Sequence, residues 1–194
     1  MIAYKFLARG ALSPFTGFRW PEPGEWVGAR EGRVELVHAC RWEDLPYWLD
    51  DELWRVELEP PVRESRYQIA SPRARLVARI AGWDPSLERE YSRACLMRAR
   101  DLASPHLDAR LRGVLEGLEQ PQAIVDALGR AGPVPLAAWY LSDAANYALQ
   151  LRTATVSYIA CLLASTLDGG LAAFEAERAW QAGWLAKRLD LGEG

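Results

Sequence analysis

Histidine and cysteine are scarce in this chain of 194 residues, which contains two of the first and three of the second. With only His38 and His106 available, a histidine-rich metal site is excluded, and we predict no metal-ligating residues. The three cysteines, Cys40, Cys95 and Cys161, are far apart and include no Cys-x-x-Cys pair. That pattern is typical of reduced thiols in a cytosolic protein rather than of a disulfide framework.

Long apolar runs and an excess of one charge are missing as well. The longest apolar segment, residues 156–167, is short of the roughly 20 residues that a membrane-spanning helix needs. The apolar stretch at the amino terminus is too short and too interrupted for a signal peptide. The 23 basic and 26 acidic residues are interspersed and give no broad positive field for a phosphate backbone. We therefore expect a cytoplasmic protein without a membrane segment and without general nucleic-acid binding.

The short motifs that mark several large enzyme classes are absent. The sequence has no glycine-rich phosphate loop, no His-Glu-x-x-His pair and no Gly-x-Ser-x-Gly turn. These absences favour a binding protein, and they leave open whether the chain is an enzyme.

Up to Trp83 the chain has the pattern of short strands separated by turns. Residues 34–40 alternate with a period of two, which places His38 and Cys40 on one face of a strand that follows a turn at residues 31–32. The predicted strands cover residues 4–7, 26–29, 34–40, 53–58, 67–70 and 74–80, and a short helix covers residues 42–49. This half is expected to form one small sheet.

Beyond Trp83 the pattern is helical. Asp84 is a candidate cap, Pro85 stands at the first helical position, and Glu88 follows three residues after Pro85. Helices are predicted at residues 85–103, from residue 104 onward, and at residues 121–128, 136–151, 155–167 and 171–189. The chain is thus predicted to be an α+β protein, in which a small mixed or antiparallel sheet with one short helix (residues 1–83) packs on an all-α helical bundle (residues 84–194).

His38 is the centre of the candidate chemistry. With Cys40 it can form a base and nucleophile pair, although side chains two residues apart on a strand lie about 6.5 Å from each other. The alternative is a histidine with satisfied hydrogen bonds beside a buried cysteine. Glu57 lies on the next predicted strand and is expected to approach His38 across the ladder, so His38 and Glu57 are the candidate catalytic residues.

Two other groups of side chains have a structural and a functional interpretation. Asp50, Asp51 and Glu52 can hold a cation, but their place in a turn favours a solvated helix end. Trp180 and Trp184 are four residues apart on the last helix and form an aromatic stripe, which is either core or a surface for a protein partner or for self-association.

The first 83 residues carry a resemblance to an uncharacterised bacterial and phage family. Members of that family begin with a Tyr-Lys strand and have a Gly-hydrophobe-His-Ala-Cys strand, a short helix and a Val-Glu-Leu strand. The chain departs from the pattern at Glu35-Leu36, where the family has glycine. The matching segments, in order, are Tyr4-Lys5-Phe6-Leu7, Gly17-Phe18-Arg19-Trp20, Val37-His38-Ala39-Cys40, Leu45-Pro46-Tyr47-Trp48-Leu49 and Leu53-Trp54-Arg55-Val56-Glu57-Leu58.

The same half is more distantly similar to folds of the ADP-ribosyltransferase type, in which a polar first strand, a His-Cys-Ser-like strand and a later glutamate surround NAD. This resemblance implies that Tyr4 or Lys5 lies in the nicotinamide-ribose region and that His38 also contacts the cofactor. It implies that Glu57 is the acid, in one cleft with Tyr4 and His38. Arg41 stands where those folds have a small hydroxyl residue, and the first strand lacks their usual arginine or histidine.

The carboxyl-terminal half resembles a helical family of immunity proteins from toxin loci. The resemblance rests on Glu177-Arg178-Ala179-Trp180-Gln181, which matches a Glu-Arg-x-Trp-Gln ending. We favour a cytosolic binding or interaction protein without a cofactor, acting as an immunity or accessory factor that recognises a protein partner. The alternatives are an ADP-ribosyltransferase-like enzyme or degenerate NAD or nucleotide binder, and a structural subunit that forms oligomers.

Overall fold

The computed structural model describes residues 1–28 and 36–191, apart from the side chain of Asp168, and it confirms the predicted α+β class. The chain forms two compact units. The first comprises Met1–Asp84 together with Ala182–Gly194, and the second comprises Pro85–Gln181. The first unit contains the strands and the second is helical.

The strands of the first unit form two antiparallel sheets. In chain order they are β1 (Ile2–Leu7), β2 (Trp26–Gly28), β3 (Val37–Ala39), β4 (Glu52–Leu58), β5 (Arg63–Glu64), β6 (Ile69–Ser71) and β7 (Arg73–Arg79). One sheet has the order β1-β4-β7-β2 and the other has the order β3-β6-β5. An isolated bridge between Tyr4 and Cys40 connects β1 to the residue that follows β3.

Alternating apolar residues of these strands build the core of the first unit. On β4, Leu53, Val56 and Leu58 are buried, and a bulge between Arg55 and Val56 resets which residues face inward. The core cluster also contains side chains from other strands and from the loop after β1, among them Ala3, Leu7, Trp20, Ile69 and Leu76. Burial of this apolar surface is the main force that holds the two sheets in place.

Two local features differ from the prediction. The helix after β3 is a short 3-10 helix, Trp42–Tyr47, because Pro46 cannot donate the backbone hydrogen bond that a longer α-helix requires. Strand β5 was not predicted, since its two residues are charged and exposed. The predicted turn at residues 31–32 and the predicted start of β3 at residue 34 lie outside the described residues.

The helices are α1 (Pro85–Ala103), α2 (Ala109–Leu115), α3 (Pro121–Arg130), α4 (Leu136–Leu149), α5 (Thr153–Ala164) and α6 (Gly170–Leu189). A 3-10 turn, Ser104–His106, precedes α2, whose first turn is capped by the carboxylate of Asp108. A π-helical turn, Ser165–Gly169, joins α5 to α6. Within the described part of the chain, no helix combines the length and the apolar character that crossing a membrane requires.

Candidate functional site

The structure brings together three of the residues that the sequence singled out. Tyr4 and Lys5 lie on β1, and His38 lies on β3. The backbone groups of Tyr4 and Cys40 exchange two hydrogen bonds of 2.8 Å, which places the end of β3 beside β1. As a result, the Nζ atom of Lys5 donates a hydrogen bond of 2.6 Å to the backbone carbonyl of His38.

Glu57 is not part of this group, and the predicted pairing of His38 with Glu57 across a ladder is wrong. His38 pairs with Ala70 in one sheet, whereas Glu57 pairs with Ile2 and Arg75 in the other. The Oε2 atom of Glu57 accepts a hydrogen bond of 2.8 Å from Nε of Arg75. The sequence missed this because alternation identifies strands but does not say which strands are neighbours.

We expect the Glu57→Gln substitution to change the free energy of unfolding little, because Glu57 makes a partly exposed ion pair. Its ion pair with Arg75 is partly exposed, with about a third of each side chain accessible to solvent, so solvent screens it. The free energy of unfolding should fall by less than about 1 kcal/mol. Urea titration followed by tryptophan fluorescence measures this. A loss of several kcal/mol would show that Glu57 has a structural role beyond the ion pair.

A cleft of about 1070 Å³ opens in the first unit beside Tyr4, Lys5 and His38. Its volume is slightly above the range of about 300–1,000 Å³ that is typical of small-molecule sites. Seven of the residues that line the cleft are aromatic. They come from β1, from the loop after β1, and from the end of the 3-10 helix and the residue after it: Tyr4, Phe6, Phe15, Phe18, Trp20, Tyr47 and Trp48.

The loop after β1 forms one wall of the cleft. Its turn is closed by hydrogen bonds from the backbone N–H of Ser13 to the carbonyl of Phe18 and from the N–H of Gly17 to the carbonyl of Ser13. Gly17 has a φ of 65°, a conformation that favours glycine. The turn leaves Phe15 84% exposed, with its ring edge-on to Trp48 at 6.3 Å between centroids. The ring of Phe15 is therefore accessible at the rim of the cleft.

Lys5 is the amine of the cleft. It is half-buried between the buried residues Tyr4 and Phe6, and its Nζ atom lies 5.7 Å from the centroid of the Trp20 ring. Burial lowers the pKa of Lys5 to about 8, while the neighbouring Cys40 opposes the shift. In the described residues no carboxylate pairs with Lys5. Most of this amine is therefore protonated at neutral pH, and about half of it is unprotonated near pH 8.

His38 and Cys40 have opposite environments. His38 is exposed along the cleft. Its pKa is lowered first by partial desolvation and then by the Lys5 charge, while a hydrogen bond that its ring donates to Gln68 acts in the opposite direction. Cys40 is buried, its Sγ atom donates to the Tyr4 carbonyl at 3.4 Å, and burial raises the pKa of its thiol far above the ordinary value. These positions support the interpretation of Cys40 as a buried apolar residue rather than as a nucleophile.

Of the acidic triplet that was predicted to be a solvated helix end, Asp51 is exposed, Asp50 is half-buried, and Glu52 is buried as the first residue of β4. Asp50 lines the cleft, and burial raises the pKa of its carboxyl, an effect that the N–H of Asp51 opposes. Asp51 accepts a hydrogen bond of 3.0 Å from the backbone N–H of Arg9. Glu52 is buried and binds the first residues of the loop that forms the cleft wall. Asp50 is thus part of the cleft lining, and Glu52 anchors the loop that forms the cleft wall.

The Glu-Arg-x-Trp-Gln motif of α6 lies in the helical unit, and its polar residues point inward. Glu177, Arg178 and Gln181 are between 0% and 5% exposed. Trp180 is half-buried and carries the guanidinium of Arg98 over its ring at 5.5 Å. Trp184 is half-buried as well, so the predicted aromatic stripe is partly covered. The tryptophan spacing gave no sign of the buried polar residues Glu177, Arg178 and Gln181 beside them.

No set of three metal-binding side chains is grouped within residues 1–28 and 36–191. Comparisons of the chain with protein-family models, with curated proteins and with solved structures found no match. The family resemblances of the two halves therefore stay predictions, and the cleft is the feature of the molecule that bears on function.

Proposed function

We propose that this chain is a binding protein whose first unit takes up a small molecule with a planar ring and a negatively charged group. The observation that carries the proposal is a cleft of about 1070 Å³ in which aromatic side chains surround a single lysine amine. Aromatic faces bind planar rings by stacking, and an ammonium group binds phosphate or carboxylate. Nucleotides, NAD among them, belong to this class of ligand.

The polar groups of the cleft fit different parts of such a ligand. Lys5 and the exposed ring of His38 can bind an anionic group, and the carboxyl of Asp50 can accept a hydrogen bond from a hydroxyl. Ser13 is already engaged, because its Oγ atom accepts the indole N–H of Trp20 at 3.0 Å. Glu57 is not among the lining residues, so the proposal is for binding and includes no transfer of ADP-ribose.

The test is binding of a panel that contains NAD, AMP and pyridoxine 5′-phosphate. A ligand that binds only the native state raises the unfolding temperature, and calorimetry then gives its affinity. Lys5→Met should weaken binding of the anionic ligands, whereas Glu57→Gln should leave it unchanged. If every member of the panel leaves the unfolding temperature unchanged at millimolar concentration, the proposal is wrong.

Phe15→Ala gives a second measurement at the rim of the cleft. Because Phe15 is 84% exposed, its removal should leave the free energy of unfolding almost unchanged. Loss of one stacking contact should lower the affinity for a panel ligand roughly tenfold. Leu171→Ala removes an apolar side chain of similar exposure in the helical unit and serves as the control. Equal affinities for the Phe15 variant and the control would contradict the proposed contact.

A protein partner is the second candidate function, and exposed apolar residues of the helical unit favour it. Leu136 and Trp139 are three residues apart on α4, and each is 52% exposed. This pair, rather than Trp180 and Trp184, is the surface that an immunity or accessory role or an oligomer would use. Sedimentation over a range of concentrations tests self-association. A mass that rises with concentration in the wild type and not in Trp139→Ser would support it.

A further inference from the structure

We infer that Lys5 is a reactive amine, and that the first unit binds its ligand covalently but reversibly through an imine between the Nζ atom of Lys5 and an aldehyde or ketone. The inference rests on the proposed function, because it concerns the same cleft and the same planar, anionic ligand. It adds the chemical group that the ligand must carry.

The position of Lys5 provides the first argument. It is one of only two lysines in the chain, and the other, Lys187, is exposed on α6. The Nζ atom of Lys5 is held at the cleft by the His38 carbonyl and lies beside the indole of Trp20. A ligand ring that stacks on the aromatic wall would bring its substituents close to this amine, and such proximity greatly favours a two-component reaction.

The protonation of Lys5 provides the second argument. An amine attacks a carbonyl only when it is unprotonated, and lysines that form imines in proteins are made reactive by desolvation. Burial lowers the pKa of Lys5 to about 8, and no carboxylate of the described residues stabilises its charged form. The thiol of Cys40 is not a rival nucleophile, since its own pKa is strongly raised.

The proposed reaction needs no oxidant, reductant or metal. The nitrogen lone pair of Lys5 forms a bond to the carbonyl carbon while the C=O π electrons move to oxygen. A proton passes through solvent from nitrogen to oxygen to give a carbinolamine. The C–O bond then breaks, the hydroxyl leaves as water after protonation, and the nitrogen lone pair forms the C=N bond. Addition of water reverses every step.

Pyridoxal 5′-phosphate is a suitable probe because it combines a planar ring, a phosphate and an aldehyde. The full-length protein is incubated with it near neutral pH, the imine is reduced with cyanoborohydride, and peptides are mapped by mass spectrometry. We expect saturable modification of Lys5, at least about tenfold above that of Lys187 and of the Met1 amine. Pyridoxine 5′-phosphate, which lacks the carbonyl, should compete with it.

Two variants complete the test. Lys5→Arg keeps the positive charge and lacks a nucleophilic amine, so it should bind pyridoxine 5′-phosphate and form no adduct at residue 5. Lys187→Arg should keep the wild-type adduct at Lys5. Equal modification of Lys5, Lys187 and Met1 would overturn the inference. Binding of both probes without a trapped adduct would overturn it and leave the proposed function intact, whereas binding of neither probe would contradict both.

Discussion

Replacing Arg178 by methionine should lower the free energy of unfolding by about 3–5 kcal/mol, the largest effect that we expect from a single substitution in this chain. Arg178 is 5% exposed, and its Nη1 atom donates to the Oγ atom of Ser157 at 2.7 Å and to the Oε1 atom of Gln181 at 3.0 Å. Methionine fills a similar volume but donates no hydrogen bond.

The cost of losing Arg178 is large because its partners depend on each other. Ser157 donates to Oε1 of Gln181 at 2.8 Å, and Nε2 of Gln181 donates to the Ser157 carbonyl at 2.9 Å. Without the guanidinium, acceptors that are fully buried lose a charged donor. Urea unfolding followed by circular dichroism measures the change. A loss below about 1 kcal/mol would show that the network relaxes around the substitution.

Glu177→Gln is the matched comparison, because it changes the adjacent buried charge of the same helix. Burial raises the pKa of Glu177, and Arg98, whose Nε atom donates to its Oε2 atom at 3.0 Å, opposes the shift. A raised folded-state pKa means that stability is greatest below the ordinary value of 4.5 and declines as the pH rises through the folded-state pKa. Glu177→Gln should remove this decline and cost much less than Arg178→Met at neutral pH.

Glu52→Gln should have the second largest effect, a loss of about 3 kcal/mol of unfolding free energy. The side chain is 8% exposed and accepts hydrogen bonds from the backbone N–H groups of Gly10 and Ala11 and from the indole of Trp54. Glutamine places an NH2 group where an acceptor is required. At least one of these donors then faces another donor in a buried site.

The pH dependence of Glu52 has the opposite sign to that of Glu177. Burial alone would raise the pKa of Glu52, but the donors around it and Arg79 outweigh burial and lower it. The stability that Glu52 contributes is therefore present above the ordinary value of 4.5 and is lost as the pH falls through the folded-state pKa. In Glu52→Gln the acid side of the stability profile should be flatter than in the wild type.

Glu59→Gln is the control for Glu52. Glu59 pairs with Arg73 at 3.2 Å, and its side chain is 39% exposed, so its substitution should cost less than about 1 kcal/mol. Because Gly10 and Ala11 begin the loop that forms the cleft wall, Glu52→Gln should also weaken binding of the panel ligands. Equal stability of the two variants would show that Glu52 does not anchor this loop.

Much of the fold follows from local patterns in the sequence. Alternation identified β4 and β7, and proline at a helix start identified α1, because these signals depend on residues close together in the chain. Strand neighbours depend on contacts between distant residues, which is why β4 was expected beside β3 and lies instead between β1 and β7.

Only part of the candidate site was predicted, again because contacts between distant residues cannot be read from local patterns. Tyr4, Lys5 and His38 were singled out and do line one cleft, whereas Glu57 does not. The low pKa of Lys5 depends on burial by residues far apart in sequence, and no local pattern reveals it. No local pattern predicts the burial of Glu52 either, because two of its three hydrogen-bond donors belong to a loop more than 40 residues earlier in the chain.

The division of α6 between the two units has a consequence for how the protein is made. Leu185 and Leu191 are buried and belong to the same unit as the strands, although about a hundred residues of helix-forming chain separate them from Asp84. On the ribosome, the strands emerge long before these two leucines do. The hydrophobic core of the first unit therefore lacks Leu185 and Leu191 until the end of the chain has been synthesised. A chain stopped before residue 182 would expose apolar surface that chaperones recognise.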